Sequence, residues 1–145
     1  MSGRRTHQLV NPSRLAPAVG FSHAVVAAPG RTVYLGGQTA QRPDGTIAGE
    51  TLSEQLDVAL ANLVTALRAV GGYPEHLVGM TIYTTDAAGY RARLRELGQI
   101  YRRHLGRHYP AMAFFEVTGL FDPAAMIELV CTAVIPDDRP TGQPD

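Results

Sequence analysis

The sequence predicts an α+β fold: one mixed sheet with two helices on one of its faces. Three observations carry that expectation. A helical apolar stripe runs over Leu52–Val70, strand and helix patterns alternate from His76 to Thr118, and the last strand pattern, Met126–Ile135, is apolar on both of its faces.

The elements follow in order. Thr6–Val10 is a short strand after a loose entry. Ser22–Ala28 and Thr32–Gly36 are apolar runs around Pro29-Gly30-Arg31 and read as a hairpin. Gln41-Arg42-Pro43-Asp44-Gly45 is a turn. In the first helix Leu56, Ala59, Leu60, Leu63, Val64, Leu67 and Val70 recur at three- and four-residue steps. Thr51 and Glu54 make a capping box at its start, and Gly71-Gly72 ends it. His76–Thr84 is a strand. Asp86 caps a second helix over Ala87–Leu105, with Tyr90, Leu94, Leu97, Tyr101 and Leu105 as its buried stripe and Gly106 as its stop. Met112–Thr118 is a further strand, and Asp122-Pro123 turns into the last one. Residues 1–136 form a single domain, and 137–145 a disordered C-terminal tail.

That last strand has a consequence for assembly. Ile127, Leu129, Cys131, Ala133 and Ile135 point one way. Met126, Glu128, Val130, Thr132 and Val134 point the other, and that face is also mostly apolar. Two helices cover one face of a sheet, so the second face needs another subunit. The expectation is an obligate oligomer in which Glu128 is a lone carboxylate on the joining face, where it needs a partner or a role.

Composition excludes several kinds of chemistry. The 145 residues carry 13 basic and 13 acidic side chains, so binding of nucleic acid or of an anionic membrane through bulk charge is not expected. Every basic residue is Arg; with no Lys, Schiff-base and P-loop-lysine chemistry are absent. One cysteine, Cys131, excludes an intrachain disulfide and a thiolate zinc cluster, and on its apolar face it reads as an inert packing residue. No secretory signal and no membrane-length apolar run is apparent, so the compartment expected is the cytoplasm.

Two clusters have plain readings. His104 and His108 stand at metal-ligand spacing, but Gly106 lies between them, and the pair reads as solvated helix-end histidines; no metal and no cofactor is expected. Arg91, Arg93, Arg95, Arg102, Arg103 and Arg107 read as a solvated helix face, although phosphate binding is conceivable. Gly36-Gly37-Gln38 lacks a nucleotide-binding spacing and marks a strand end where the backbone comes close to something.

Gly20-Phe21-Ser22-His23-Ala24-Val25, Val33 to Gln38, Gln55 to Leu63 with Asn62, Met80 to Thr84 with Asp86, Tyr109-Pro110-Ala111 and Ile127-Glu128, in this order and spacing, resemble the Rid (reactive intermediate deaminase) family. That family is also called YjgF, and is often labelled endoribonuclease L-PSP. The resemblance spans about residues 15–135. It implies a chorismate-mutase-like fold and a homotrimer, with a central barrel of sheets and ligand clefts between subunits. It also implies hydrolysis of 2-imino or enamine acids to 2-keto acids and ammonia. In that chemistry a Pro-Ala-Arg arginine holds the substrate carboxylate and a glutamate on the last strand positions or activates water.

The match is incomplete. Met112 stands at the arginine position, Phe21 at the pocket tyrosine, and Gly36 at the serine before Gly-Gln; Glu128 and Gly37-Gln38 are kept. A standard 2-iminobutanoate deaminase is therefore not expected. The resemblance implies instead a cleft made apolar by Phe21, Met112 and Phe114, with Glu128 as catalytic residue or anchor; His23 is a candidate polar group, although a satisfied histidine at a strand start is the reading favoured for it. The ligand would be small, apolar and less charged. The competing readings are a retuned imine or enamine hydrolase, a non-catalytic ligand- or protein-binding module, and an RNA-acting protein. For Glu128 a structural carboxylate, and for Phe21, Met112 and Phe114 plain interface packing, remain alternatives.

Overall fold

A computed structural model describes residues 7–137. The elements are β1 (Gln8–Val10), β2 (Ala24–Val26), β3 (Gly30–Gln38), α1 (Leu52–Ala69), a 3-10 turn (Pro74–His76), β4 (Leu77–Thr84), α2 (Ala87–Ala92), α3 (Leu94–Leu105), β5 (Ala111–Glu116) and β6 (Ile127–Pro136). A four-stranded sheet runs in the order β3-β6-β4-β5, and β1 and β2 pair separately. The last strand lies between β3 and β4, antiparallel to both, and β4 pairs with β5 in parallel. The helices fill the crossovers that such an order requires.

Helix α1 begins and ends where its local chemistry dictates. The Thr51 hydroxyl accepts from the Glu54 amide at 3.1 Å. The Glu54 carboxylate accepts from the Glu50 amide at 2.9 Å, one residue upstream of a standard box. Gly71, at φ 82°, terminates the helix in the left-handed region. Leu56, Leu60, Leu63 and Leu67 are buried against Ile127, Leu129, Cys131 and Ala133 of β6, so helical and strand periodicities meet in one core.

The expected hairpin of Ser22–Ala28 with Thr32–Gly36 does not form. Strand β2 pairs with β1, Leu9 opposite Val25, while β3 pairs with β6 from Gly30 opposite Pro136. Gly30 permits the crossing: a Cβ there would overlap the backbone of Ile135, so only glycine lets β3 approach β6 this closely at its start.

The second helix is also not continuous. Arg93 leaves helical geometry (φ −121°, ψ 25°), dividing the segment into α2 and α3. The break lets α2 hang over β5, with Tyr90 against Phe114, while α3 packs along α1. Leu94, expected in the buried stripe, is 59% exposed beside the break, and Ile100 is buried in its place. Asp86 caps α2 as expected, accepting from Gly89 N–H at 2.9 Å, and the Glu116 carboxylate accepts from Ala87 N–H at 2.9 Å.

The sheet face away from the helices is uncovered. Tyr34, Phe115 and Val130 are 84%, 52% and 38% exposed there, with Tyr83, Glu128 and Thr132 half-buried among them. Of the expected tail, Asp137 donates its amide to the Pro29 carbonyl at 2.9 Å, and positions 138–145 lie outside the described residues.

Candidate functional site

One groove of about 780 Å³ lies along the outer strand β5. Its floor is Ile82, Met112, Ala113 and Phe114, one wall is α2 and α3, and the other is Ala18–Phe21. That volume falls within the roughly 300–1,000 Å³ of small-molecule sites.

The loop wall is fastened by its polar groups. The His23 amide donates to the Asn11 side chain at 2.8 Å, and His23 Nε2 pairs with the Ala16 carbonyl at 2.7 Å. Ser22 donates its amide to the Pro110 carbonyl at 3.0 Å and its hydroxyl to the Tyr109 carbonyl at 2.6 Å. These bonds hold Phe21 over the entry to β5. The interior is aromatic: Tyr90 and Phe114 have ring centroids 4.7 Å apart, and Tyr101 stacks on Tyr109 at 5.3 Å. The Tyr101 hydroxyl donates to the His108 carbonyl at 2.7 Å, and burial raises the pKa of Tyr90 and of Tyr101 above the usual tyrosine value, so both stay neutral phenols.

The candidate residues separate into two places. Phe21, Met112 and Phe114 line the groove. His23 braces its wall from behind, its ring 5.0 Å from Phe21. Glu128, Gly36, Gly37 and Gln38 are elsewhere. Met112 and Phe114 lie opposite Met80 and Ile82 on the helix side, whereas Glu128 lies opposite Tyr83 on the open face. Alternation along the strands thus puts the acid and the groove of one chain on opposite sides of the sheet.

The open face has its own local geometry. Pairing of β3 with β6 is irregular between Leu35 and Gln38, and this turns Gly37 toward Glu128. A Cβ on Gly37 would stand 2.9 Å from Glu128 Cδ, so glycine leaves room for the carboxylate in the position it occupies. Among the described residues, no hydrogen-bond or ion-pair partner meets that carboxylate. Gln38 turns back to the Gly36 carbonyl at 3.3 Å.

Sequence reasoning missed part of the groove. Tyr90 and Tyr101 read as ordinary core, and Arg91 and Arg102 as solvated charge, yet all four line it. The available signal was Gly98, one turn before Arg102 on the same helical face. The histidine pair is not simply solvated: His104 Nε2 meets Asp57 Oδ1 at 2.6 Å and His108 Nε2 meets the Leu77 carbonyl at 2.8 Å. Cys131 is buried, which pushes its thiol up to about 12 and leaves it an inert packing group.

Fold and groove together define an α+β domain with a groove of small-molecule size along β5 and a second, uncovered polar point on its sheet. Its family follows from comparison. The profile described as Endoribonuclease L-PSP matches residues 11–135, and the chain belongs to that family, the Rid or YjgF family. The Rid family protein YyfB of Yersinia pestis superposes with a TM-score of 0.81 at 33% identity, over 90% of this chain and 99% of that one. RidA of an Antarctic Psychrobacter superposes with a TM-score of 0.63 at 25% identity, over 88% and 99%. Protein mmf2, mitochondrial, of Schizosaccharomyces pombe is 29% identical over 126 residues, 86% of this chain and 94% of that protein. Among the described residues, no helix is long and apolar enough to cross a membrane.

Proposed function

We propose that the chain works as a homotrimer whose sheets close around a centre, and that each ligand cleft joins the groove of one subunit to the Gly37–Glu128 corner of the next. The ligand is a small metabolite with a largely apolar body. The reaction is hydrolysis of an imine or enamine, with the Glu128 carboxylate positioning or activating water. Its substrates differ from 2-iminobutanoate, because Met112 offers no charge to a substrate carboxylate at that place. The observation that carries the reading is the Glu128 carboxylate. It is half-buried on an uncovered apolar face, beside a glycine that makes room for it, with no partner among the described residues. A carboxylate so placed in a closed cleft is available for chemistry.

The test is ammonia release from a panel of imines generated in place from aliphatic and aromatic amino acids. Turnover by the wild type that is lost in Glu128→Ala supports the proposal. No turnover on any member, or equal turnover by both proteins, overturns it.

Met112 and the aromatic floor favour a second reading, a binding module without turnover. It predicts thermal stabilisation by ligand with no ammonia released. The family label brings RNA cleavage to mind, but the helix arginines do not make one basic face: Arg103 lies 3.7 Å from Asp57, and Arg102 lines the groove. The cytoplasm remains the compartment of this proposal, on the single cysteine Cys131, although mmf2 carries a mitochondrial name. Cell fractionation that placed the protein in an organelle would correct it.

A further inference from the structure

The groove is apolar in its floor but not neutral at its rim. Arg91 of α2 and Arg102 of α3 both line it, and among the described residues no aspartate or glutamate does. The two arginines reach it for a reason written in the helices. Leu94, Leu97, Gly98, Tyr101 and Arg102 fall at three- and four-residue steps, so they share the face of α3 that looks across the groove. Gly98 leaves the space in which the Arg102 guanidinium rests: a Cβ there would stand 3.2 Å from an Arg102 terminal nitrogen. Arg102 is only half-exposed, and among the described residues no carboxylate or carbonyl binds its guanidinium. Its neighbour Arg103, by contrast, turns outward to Asp57. A half-buried guanidinium that no acid among the described residues meets across the cleft is electrostatically incomplete.

We infer that Arg102, assisted by Arg91, is the anion anchor of this groove, and that its ligand is a monocarboxylate with a bulky, preferably aromatic, apolar body. The carboxylate takes the planar guanidinium fork in a paired contact. The body lies on Phe21, Tyr90, Met112 and Phe114, where aromatic faces and a thioether accept a flat ring. The charge thus enters from the helix wall and not from strand β5, where Met112 presents none. The inference deepens the proposed function by naming the chemical class of the ligand. It rests on that reading only for the identity of the site, since binding needs neither Glu128 nor turnover.

The experiment is calorimetric titration of the full chain with 3-phenylpropionate, 3-phenylpropionamide, propionate and phenyl phosphate. The acid should bind at least about tenfold more tightly than the amide and than propionate, and its affinity should fall as salt is raised. Arg102→Gln should reduce binding of the acid about tenfold and leave the amide unchanged; Arg102→Lys should recover part of the loss. Arg91→Gln, on the exposed rim, should cost less, and unchanged melting temperatures show that the variants stay folded. Equal binding of acid and amide overturns the inference, as does an Arg102→Gln protein that binds the acid like the wild type. Tighter binding of phenyl phosphate overturns the monocarboxylate. Binding by this pattern without ammonia release from any imine sinks the proposed reaction alone; release that is indifferent to Arg102 sinks this inference alone.

Discussion

Gly37 and Glu128 face each other across the β3–β6 ladder so closely that a single methyl group on Gly37 would press on the carboxylate, 2.9 Å from Cδ and 3.1 Å from Oε1. Nothing in the backbone angles of Gly37 demands glycine, since its φ is not positive. The requirement is space. Gly37→Ala should therefore displace the Glu128 side chain and lower Glu128-dependent ammonia release about tenfold or more, with little change in urea unfolding, since only the flexible end of one side chain has to move. Gly36→Ala, whose Cβ meets nothing within 4 Å, should leave unfolding unchanged. Full turnover in Gly37→Ala would show that the approach has no functional weight.

The uncovered sheet face makes a prediction about mass. Tyr34 is 84% exposed and Val130 38%. Light scattering should report a multiple of the chain mass for the wild type. Tyr34→Glu with Val130→Glu should yield the single chain, because two carboxylates cannot be desolvated on a closed apolar interface. A monodisperse single chain in the wild type would refute the trimer.

Gln55 ties α1 to the segment that delivers Glu128. It is 2% exposed, donates to the Gly49 and Ala124 carbonyls at 3.2 and 2.9 Å, and accepts from the Met126 amide at 2.7 Å. Gln55→Leu keeps most of the volume and strands all three backbone groups. It should cost about 2–3 kcal/mol in urea unfolding. A loss below about 0.5 kcal/mol would mean that water replaces the amide at little cost.

Stability should fall in alkali. Burial raises Cys131 from an ordinary 9.0 to about 12, and raises Tyr90 and Tyr101 above 10.0. Each group is held neutral in the folded chain, so its contribution is complete below the unfolded value and is lost as pH climbs toward the folded one. Melting temperature should be level from pH 7 to 8.5 and decline above about pH 9, less steeply in Cys131→Ala and Tyr101→Phe. By the same argument Cys131 should resist thiol reagents at pH 8 until the protein unfolds.

Much of the fold was legible because local rules decide it. The leucine period of α1, the Thr51 and Asp86 caps and the glycine stops at 71 and 106 act over one or two turns, and each appears where its residues place it. The two failures lie where distant parts of the chain compete for one segment. Gly30 lies so close to the Ile135 backbone that only glycine fits, an approach that no neighbouring residue announces. The break at Arg93 serves both β5 and α1, which lie far apart in sequence. The groove followed the same division. Phe21, Met112 and Phe114 could be read from the resemblance, but Arg102 looked like every other arginine of its helix until the turn of α3 and the gap at Gly98 set it inward.

By itself, the order of residues determined helix α1, the capped start and glycine end of the second helical segment, the two-faced character of β6 and the family, because hydrophobic periodicity and short-range capping act along the chain. The tertiary structure alone decided that Glu128 and the aromatic groove occupy opposite sides of one sheet, and that a guanidinium from α3 faces the strand whose own arginine position holds Met112. Those are relations across space between segments separated by many residues, and packing, not local preference, sets them.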